Sequence, residues 1–400
     1  MLLPTFLIFL CGYTLSQFYR SFLAVLAPEL ATEFALSSAD LGNMSSAWFM
    51  TFAVMQLPIG LAFDRLGPRR CVSALMLVGA LGAAVFASAQ SGRDLIAAMA
   101  LIGIGCSPIY VGALFMFGRV YPAQNFALLS SWMIGIGSAG NLLGSTPLAV
   151  AAQAFGWRSV FLGLAAATLL VALLVARYIK DPPPASSAAS EAKPWLAEMK
   201  ELLALRNLWL FVPMLAVSYG IVAAERGVWM GPFLADVYGL DQVARGNAAL
   251  LMGAAMCVGA IAYGPLDRWV GACKPIVVAG TLATAAGFVA LWLWPGDALT
   301  SALIALALIG LAGLNWGVLM AHARSFFPEH LLGRGITLAN FLCMAGAGII
   351  QVLSGERVGF LKATSNAETA YASLHLSFGL VLLGAVVLYM LAAETSRASR

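Results

Sequence analysis

Charge is what this 400-residue chain has least of. Lys, Arg, Asp and Glu together make up 10% of it, where soluble domains carry about 25%. With 61% apolar residues and a mean hydropathy of +0.90, too few polar side chains remain to cover a water-facing surface. A soluble globular protein is excluded, and so is a disordered chain. Histidine is limited to His322, His330 and His375, none in a partner spacing. The six cysteines (Cys11, Cys71, Cys106, Cys257, Cys273, Cys343) stand singly in or beside apolar runs, so neither a metal site nor a disulfide framework is expected. A phosphate-binding glycine loop, metal-type His/Cys spacing and a Gly-x-Ser-x-Gly elbow are also missing. No enzyme activity and no cofactor are expected. The net charge of +4 speaks to membrane orientation and not to nucleic acid.

What is present is apolar length. Twelve runs stand out, at 4–27, 41–63, 71–90, 95–118, 127–151, 157–179, 207–235, 246–266, 274–294, 299–323, 335–355 and 370–392. Each approaches the roughly 20 residues that cross a bilayer as a helix. Only helices or closed barrels satisfy their backbone in lipid, and a barrel would show short alternating segments instead. The expected fold is therefore an all-α transmembrane bundle of twelve helices. The N-terminus lacks a basic region and a cleavage site, so it reads as a retained first span.

One polar stretch, 180–206, separates a half at 1–179 from a half at 207–400. Its Asp181-Pro182-Pro183-Pro184 and Ser/Ala run read as a tether. The part around Leu196, Met199, Leu202 and Leu203 has the pattern of a short amphipathic helix. With both termini inside, fifteen of the 22 Lys and Arg residues fall on the inner side, five on the outer side, and Arg20 and Arg226 fall within spans. That asymmetry predicts a multi-pass protein of the cytoplasmic (inner) membrane with both termini cytoplasmic. The halves also echo each other at an offset near 204: Pro28 and Pro232, Gly42-Asn43 and Gly246-Asn247, Gly60 and Gly264, with Gly112 and Gly317 one residue further. Two pseudo-symmetric six-helix halves are the signature of a duplicated transporter with its solute path between the repeats.

After the second span runs Gly60-Leu61-Ala62-Phe63-Asp64-Arg65-Leu66-Gly67-Pro68-Arg69-Arg70, with a degenerate echo at Gly264-Pro265-Leu266-Asp267-Arg268. The stretch resembles the loop signature of the major facilitator superfamily. The resemblance extends to helix count, linker position and repeat, and implies a twelve-helix major facilitator bundle. In it Gly60, Asp64, Arg65, Gly67, Arg69, Arg70, Asp267 and Arg268 would form a conformational latch. Tyr19-Arg20 through Ala27-Pro28 resembles the first helix of the organic anion:cation symporter branch. There the arginine meets an anionic group of the solute, a role guanidinium suits because it stays charged and bonds carboxylates bidentately. Tyr19 stands where an acidic residue often precedes that arginine, so proton coupling at that position is absent.

Ionisable residues inside spans are few and face function by default. Arg20, Glu225 and Arg226 are expected in one layer of a central cavity, Arg20 and Arg226 as solute contacts and Glu225 as the proton-coupling group. A structural Glu225–Arg20 bridge is the alternative. Tyr13 and Gln17 share a helix face with Arg20, and Tyr110, Asn315, Trp316 and Asn340 are softer solute-lining candidates. Proton antiporters of the family carry an arginine four residues before the fourth-helix glycines, where this chain has Met99 before Gly103. Their fifth-helix Gly-Pro ending is also incomplete here. The expected function is thus a secondary active transporter taking up a small organic solute, an organic anion by its arginines, by alternating access with protons as coupling ion, working as a monomer. A proton-antiport exporter of drugs or metabolites is the alternative, and a non-transporting receptor or intramembrane enzyme the alternative from another class.

Overall fold

The computed structural model describes residues 2–122, 125–181, 195–296, 298–328 and 331–392. Within these, the side chains of residues 2, 61, 64, 127, 195–197, 265, 267, 268 and 333 lie outside the description. Among the described residues every regular element is a helix. Joined end to end, the helices form twelve rods: 2–34, Ser38–Leu66, Pro68–Ala87, Gly92–Val120, 126–155, Trp157–Tyr178, Arg206–Tyr238, Gln242–Val270, Cys273–Leu293, Leu299–Arg324, Leu332–Thr364 and Ala367–Met390. Nine of the described helices are long and apolar enough to cross a membrane. The first and fifth rods are interrupted, and the second ends in its charged loop. The chain is a multi-pass membrane protein with the twelve helices its apolar runs predicted.

The interruptions have local causes. The fourth rod breaks between Cys106 and Ile109, where Pro108 has no N–H to give. The fifth breaks at Ser138 and again at Gly144-Ser145, ahead of Pro147. Rods two and four start from capping boxes: Ser37 accepts from the Asp40 N–H, and Ser91 from that of Asp94. The internal repeat is written in the backbone too. Positive φ occurs at Ala35 (50°) and Gly239 (65°), and again at Gly67 (79°) and Gly271 (72°). Both pairs are 204 apart.

Packing divides the chain into two compact units, Met1–Ala188 with Asp241–Ala249, and Ala189–Leu240 with Leu250–Arg400. In the first, the third rod lies against the fourth and sixth. In the second, the ninth lies against the tenth and twelfth. The first rod lies against the fifth and the seventh against the eleventh. Lipid offers no hydrophobic drive for these contacts, so small residues must bring backbones close. A Cβ on Gly140 of the fifth rod would sit 2.0 Å from the Thr14 carbonyl oxygen of the first. A Cβ on Gly346 of the eleventh would sit 2.4 Å from the Ala216 carbonyl oxygen of the seventh.

The first turns of the eighth rod belong to the first unit. Arg245, nearly fully buried, pairs with Glu29 of the first rod, and the Thr146 hydroxyl donates to Asn247 Oδ1 at 2.8 Å. In the second unit the linker is more than a tether. Trp195–Leu203 is a helix. Leu202 is fully buried in a core with Leu208, Phe211 and Leu331, Met199 packs against it, and Glu198 pairs with Arg334.

Candidate functional site

In the first unit the site is built on the first rod. Its helix Leu2–Ser21 gives way at Phe22 to a second helix, Leu23–Phe34. Arg20 stands in the last turn of the first of these. Its guanidinium carbon lies 4.9 Å from the Trp48 ring centre and 5.1 Å from that of Phe52. The two rings stack on each other, 5.0 Å apart and tilted 18°. Trp48 is buried and Arg20 half-buried. Each cation–π contact contributes about 0.5–2 kcal/mol, and it does so without neutralising the charge. The Cys106 thiol stands near Ser16 and the guanidinium. Gln56 reaches across from the second rod to the Ser107 carbonyl at 3.3 Å.

Further along the same rod, the Gln17 amide donates to the Tyr13 hydroxyl at 2.8 Å. The Tyr13 ring meets Tyr110 of the fourth rod at 5.3 Å. The structure thus brings Tyr13, Gln17 and Tyr110 together, and turns Arg20 onto the aromatic pair of the second rod. Tyr19 faces away: its hydroxyl shares a 3.0 Å hydrogen bond with Thr168 of the sixth rod. Sequence reasoning missed Trp48 and Phe52. Their spacing of four on one helix was the available signal, because it forms a single aromatic face.

In the second unit the seventh rod changes its winding at the ionisable pair. Glu225–Trp229 is a π turn between Arg206–Ala224 and Met230–Tyr238, a device often found at functional sites. Glu225 is wholly buried, and its Oε2 lies 3.4 Å from Nε2 of His375 on the twelfth rod, also wholly buried. His375 was expected to have no partner; the histidine that matters lies 150 residues away in sequence from its acid, and no local spacing reveals it. Arg226 is buried, with Tyr219 and Cys257 in electrostatic range. The next rung is Trp229, whose indole N–H donates to Ser354 at 2.8 Å.

The softer candidates of this unit are spread out. Asn315 sits at the break in the tenth rod, and its amide donates to Thr281 Oγ1 at 3.0 Å and to the Val277 carbonyl at 3.3 Å. Trp316 follows it, half-buried, its indole N–H without a hydrogen-bond partner. Asn340 is half-buried on the eleventh rod. His322 is buried against Tyr389, with Nδ1 2.5 Å from the hydroxyl, and His330 lies outside the described residues.

The loop after the second rod turns at Gly67, whose positive φ suits glycine. A Cβ there would lie 2.4 Å from the Asp181 carboxyl carbon. Asp181 Oδ1 accepts the Arg69 backbone N–H at 2.8 Å, and Arg69 Nε donates to the Ala176 carbonyl at 2.6 Å. The carboxylate therefore stands at the start of Pro68–Ala87, where the helix dipole favours it. Of the expected latch residues, Gly67 and Arg69 meet this acid, Arg65 and Arg70 are exposed, and Gly60 faces open space. The side chains of Asp64, Asp267 and Arg268 lie outside the description. Asp181 was read only as the head of the tether.

Comparison with known proteins agrees with this architecture. The chain is similar to a probable sulfoacetate transporter of Cupriavidus necator, 26% identical over 261 residues, covering 60% of this chain and 59% of the relative. A gentisate transporter of Corynebacterium glutamicum is 26% identical over 346 residues, covering 82% of this chain and 74% of the relative. Among solved structures, a bacterial homologue of the human lysosomal transporter Spinster superposes with a TM-score of 0.77 at 19% identity, covering 97% and 96% of the two chains. A D-xylose–proton symporter superposes at 0.75 and 16%, covering 95% and 96%. These structural likenesses speak to the fold. The model of the Major Facilitator Superfamily matches residues 9–351, and with that span, the twelve rods and the loop at Gly60–Arg70, the chain belongs to this superfamily of transporters.

Proposed function

We propose that this protein is a secondary active transporter that takes up a small organic anion by alternating access, driven by protons. The observation that carries the reading is Arg20: a guanidinium held within a spanning rod over Trp48 and Phe52. A charge in that position costs about 2.5–3.5 kcal/mol on insertion scales, and a carboxylate or sulfonate bound by its planar fork would offset that cost. The names of the similar proteins agree in chemistry. Sulfoacetate, gentisate, hexuronate and tartrate are all small anions. In this reading Gln17, Tyr13 and Tyr110 line the solute's path beside Arg20, and Arg226, Asn315, Trp316 and Asn340 serve from the second half. Glu225 takes up the coupling proton. Gly67, Arg69 and Asp181 act as the latch at the loop. The cation count favours both termini on the cytoplasmic side of the inner membrane, and the protein acts as a monomer.

One similar protein carries the name of a probable sugar efflux transporter, so direction is part of the test. A thermal-shift screen of organic anions, beginning with gentisate and sulfoacetate, is run on wild type and Arg20→Ala. An anion that stabilises the wild type alone supports the site. Flux of that anion into proteoliposomes is then measured under an imposed pH gradient of either sign. Accumulation when the outside, where the solute is added, is the more acidic side supports proton-coupled uptake; accumulation only when the inside is the more acidic supports exchange. Absence of any flux would leave a binding protein.

A further inference from the structure

We propose that Glu225 and His375 form a single proton-binding unit, loaded from the solvent through Asp236 and the hydroxyl of Tyr371. The proposal deepens the coupling role given to Glu225 and rests on that reading. All four residues belong to the second unit.

The two central groups face each other at 3.4 Å with no solvent exposure. Neither carboxylate oxygen of Glu225 and neither ring nitrogen of His375 has a conventional hydrogen-bond partner. The His375 ring is walled by Phe233 at 5.0 Å and Phe288 at 6.1 Å. A buried ion without compensation costs several kcal/mol, so the pair is stable when it holds one proton between its two members and costly when it holds none. Other charges that act here are Arg226, next along the seventh rod, and Asp236 and Lys362 toward its end.

Two polar residues stand between the pair and solvent: Tyr371, one helical turn before His375 on the twelfth rod, and Asp236 near the end of the seventh. Tyr371, wholly buried on the twelfth rod, stands in electrostatic range of Glu225 and donates its hydroxyl to Asp236 Oδ2 at 2.8 Å. Asp236 is partly exposed, with 38% of its side chain open to solvent, and Lys362 holds the same oxygen at 2.5 Å. When Asp236 takes a proton from solvent, the Tyr371 hydroxyl turns from the carboxylate oxygen to which it donates, accepts that proton at its own oxygen and gives its original proton to the pair. The O–H bonds broken at Asp236 and Tyr371 are replaced by a new O–H on Tyr371 and an O–H or N–H on the pair, and Tyr371 ends neutral.

The first unit supplies an internal control. There, too, an acid at the end of the first rod, Glu33, accepts from an aromatic residue, Trp157 Nε1 at 2.8 Å, and pairs with a cation, Arg158. Next to Trp157 lie Phe86 at 5.7 Å and Phe161 at 6.5 Å, with Phe22 at 4.8 Å from Phe161. In the first unit the corner acid and its aromatic donor adjoin phenylalanines, and in the second they adjoin a buried acid and imidazole.

Infrared pH-difference spectra of the purified protein in lipid test the unit directly. A protonated-carboxyl band should vanish as pH rises and be absent in Glu225→Gln. In wild type the imidazole bands should change in that same step, a readout that needs no variant. In His375→Gln the carboxyl midpoint should move by about one pH unit or more, a tenfold change in proton affinity. In Tyr371→Phe the midpoint should hold while proton uptake after a pH jump slows. Carboxyl and imidazole bands titrating independently, or a midpoint unmoved in His375→Gln, would overturn the paired unit. An unchanged rate in Tyr371→Phe would overturn the route. If instead Glu225→Gln abolishes the band but anion accumulation stays proton-driven, the pair stands and the coupling role of Glu225 is what fails.

Discussion

The first and seventh rods occupy matching places in the two repeats and solve the same problem differently. Both lose regular α winding near their ionisable residues, at Phe22 in one and over Glu225–Trp229 in the other. The first keeps a cation, Arg20, against two stacked rings. The seventh keeps an acid against an imidazole. Both end in a left-handed cap, Ala35 and Gly239, and each cap is preceded by an acid paired with a cation, Glu33 with Arg158 and Asp236 with Lys362. A duplicated scaffold thus keeps its backbone irregularities while its side chains diverge; in the proposed reading the first half serves an anion and the second a proton.

The largest expected effect tests that division. Arg20→Ala should weaken binding of the stabilising anion by about 10- to 100-fold, the loss of about 1.5–3 kcal/mol of charged hydrogen bonding, measured by thermal shift or calorimetry. Glu225→Gln should leave that affinity within a fewfold at a pH where the pair is protonated. Equal losses from both would erase the distinction between the halves.

Next come the close approaches. Gly140→Ala and Gly346→Ala should each lower stability by about 1–3 kcal/mol, the usual cost of overpacking, because each Cβ meets a carbonyl oxygen of the facing rod. Thermal unfolding in one detergent compares them; a large loss in one and none in the other would show that the repeats do not share this joint.

The caps give a smaller, opposite pair. Ala35→Gly should gain about 1 kcal/mol by relieving a left-handed alanine, and Gly239→Ala should lose a similar amount. Smallest of all is the corner at Glu33. Burial opposes ionisation there, but the bonds from Trp157 and Arg158 outweigh it and hold the carboxyl below the usual range. A depressed folded-state value means that stability is present above the ordinary carboxylate pKa and lost as pH falls through the lowered one. Glu33→Gln should therefore cost about 0.2–1 kcal/mol near neutrality, as for a partly exposed pair, and nothing in strong acid, as melting curves across pH would show.

Much of this was legible in the amino-acid sequence. Apolar length predicted twelve rods, and the second rod onward follow those runs within a few residues except where polar turns of helix extend beyond the apolar stretch, as at Lys362 in the eleventh. The offset of 204 found in residue identities returned as paired dihedrals. The helix at Met199 and Leu202 was expected from its pattern, but its docking was not, since the partner core lies far along the chain. The same limit hid Trp48 from Arg20 and His375 from Glu225. Burial economy was the one available clue: a lone acid in the seventh apolar run demands a partner, and His375 is the one ionisable residue other than tyrosine in the twelfth.

The π turn at Glu225 also sets how the seventh rod can move. Each residue of an α-helix accounts for about 100° of rotation, and a π turn holds a surplus residue that can travel by swapping neighbouring backbone bonds. A one-residue slide toward the C-terminus would swivel the acid relative to the imidazole while the outer turns stay seated, giving the rod a built-in crank whose throw is fixed by helical geometry and not by bending.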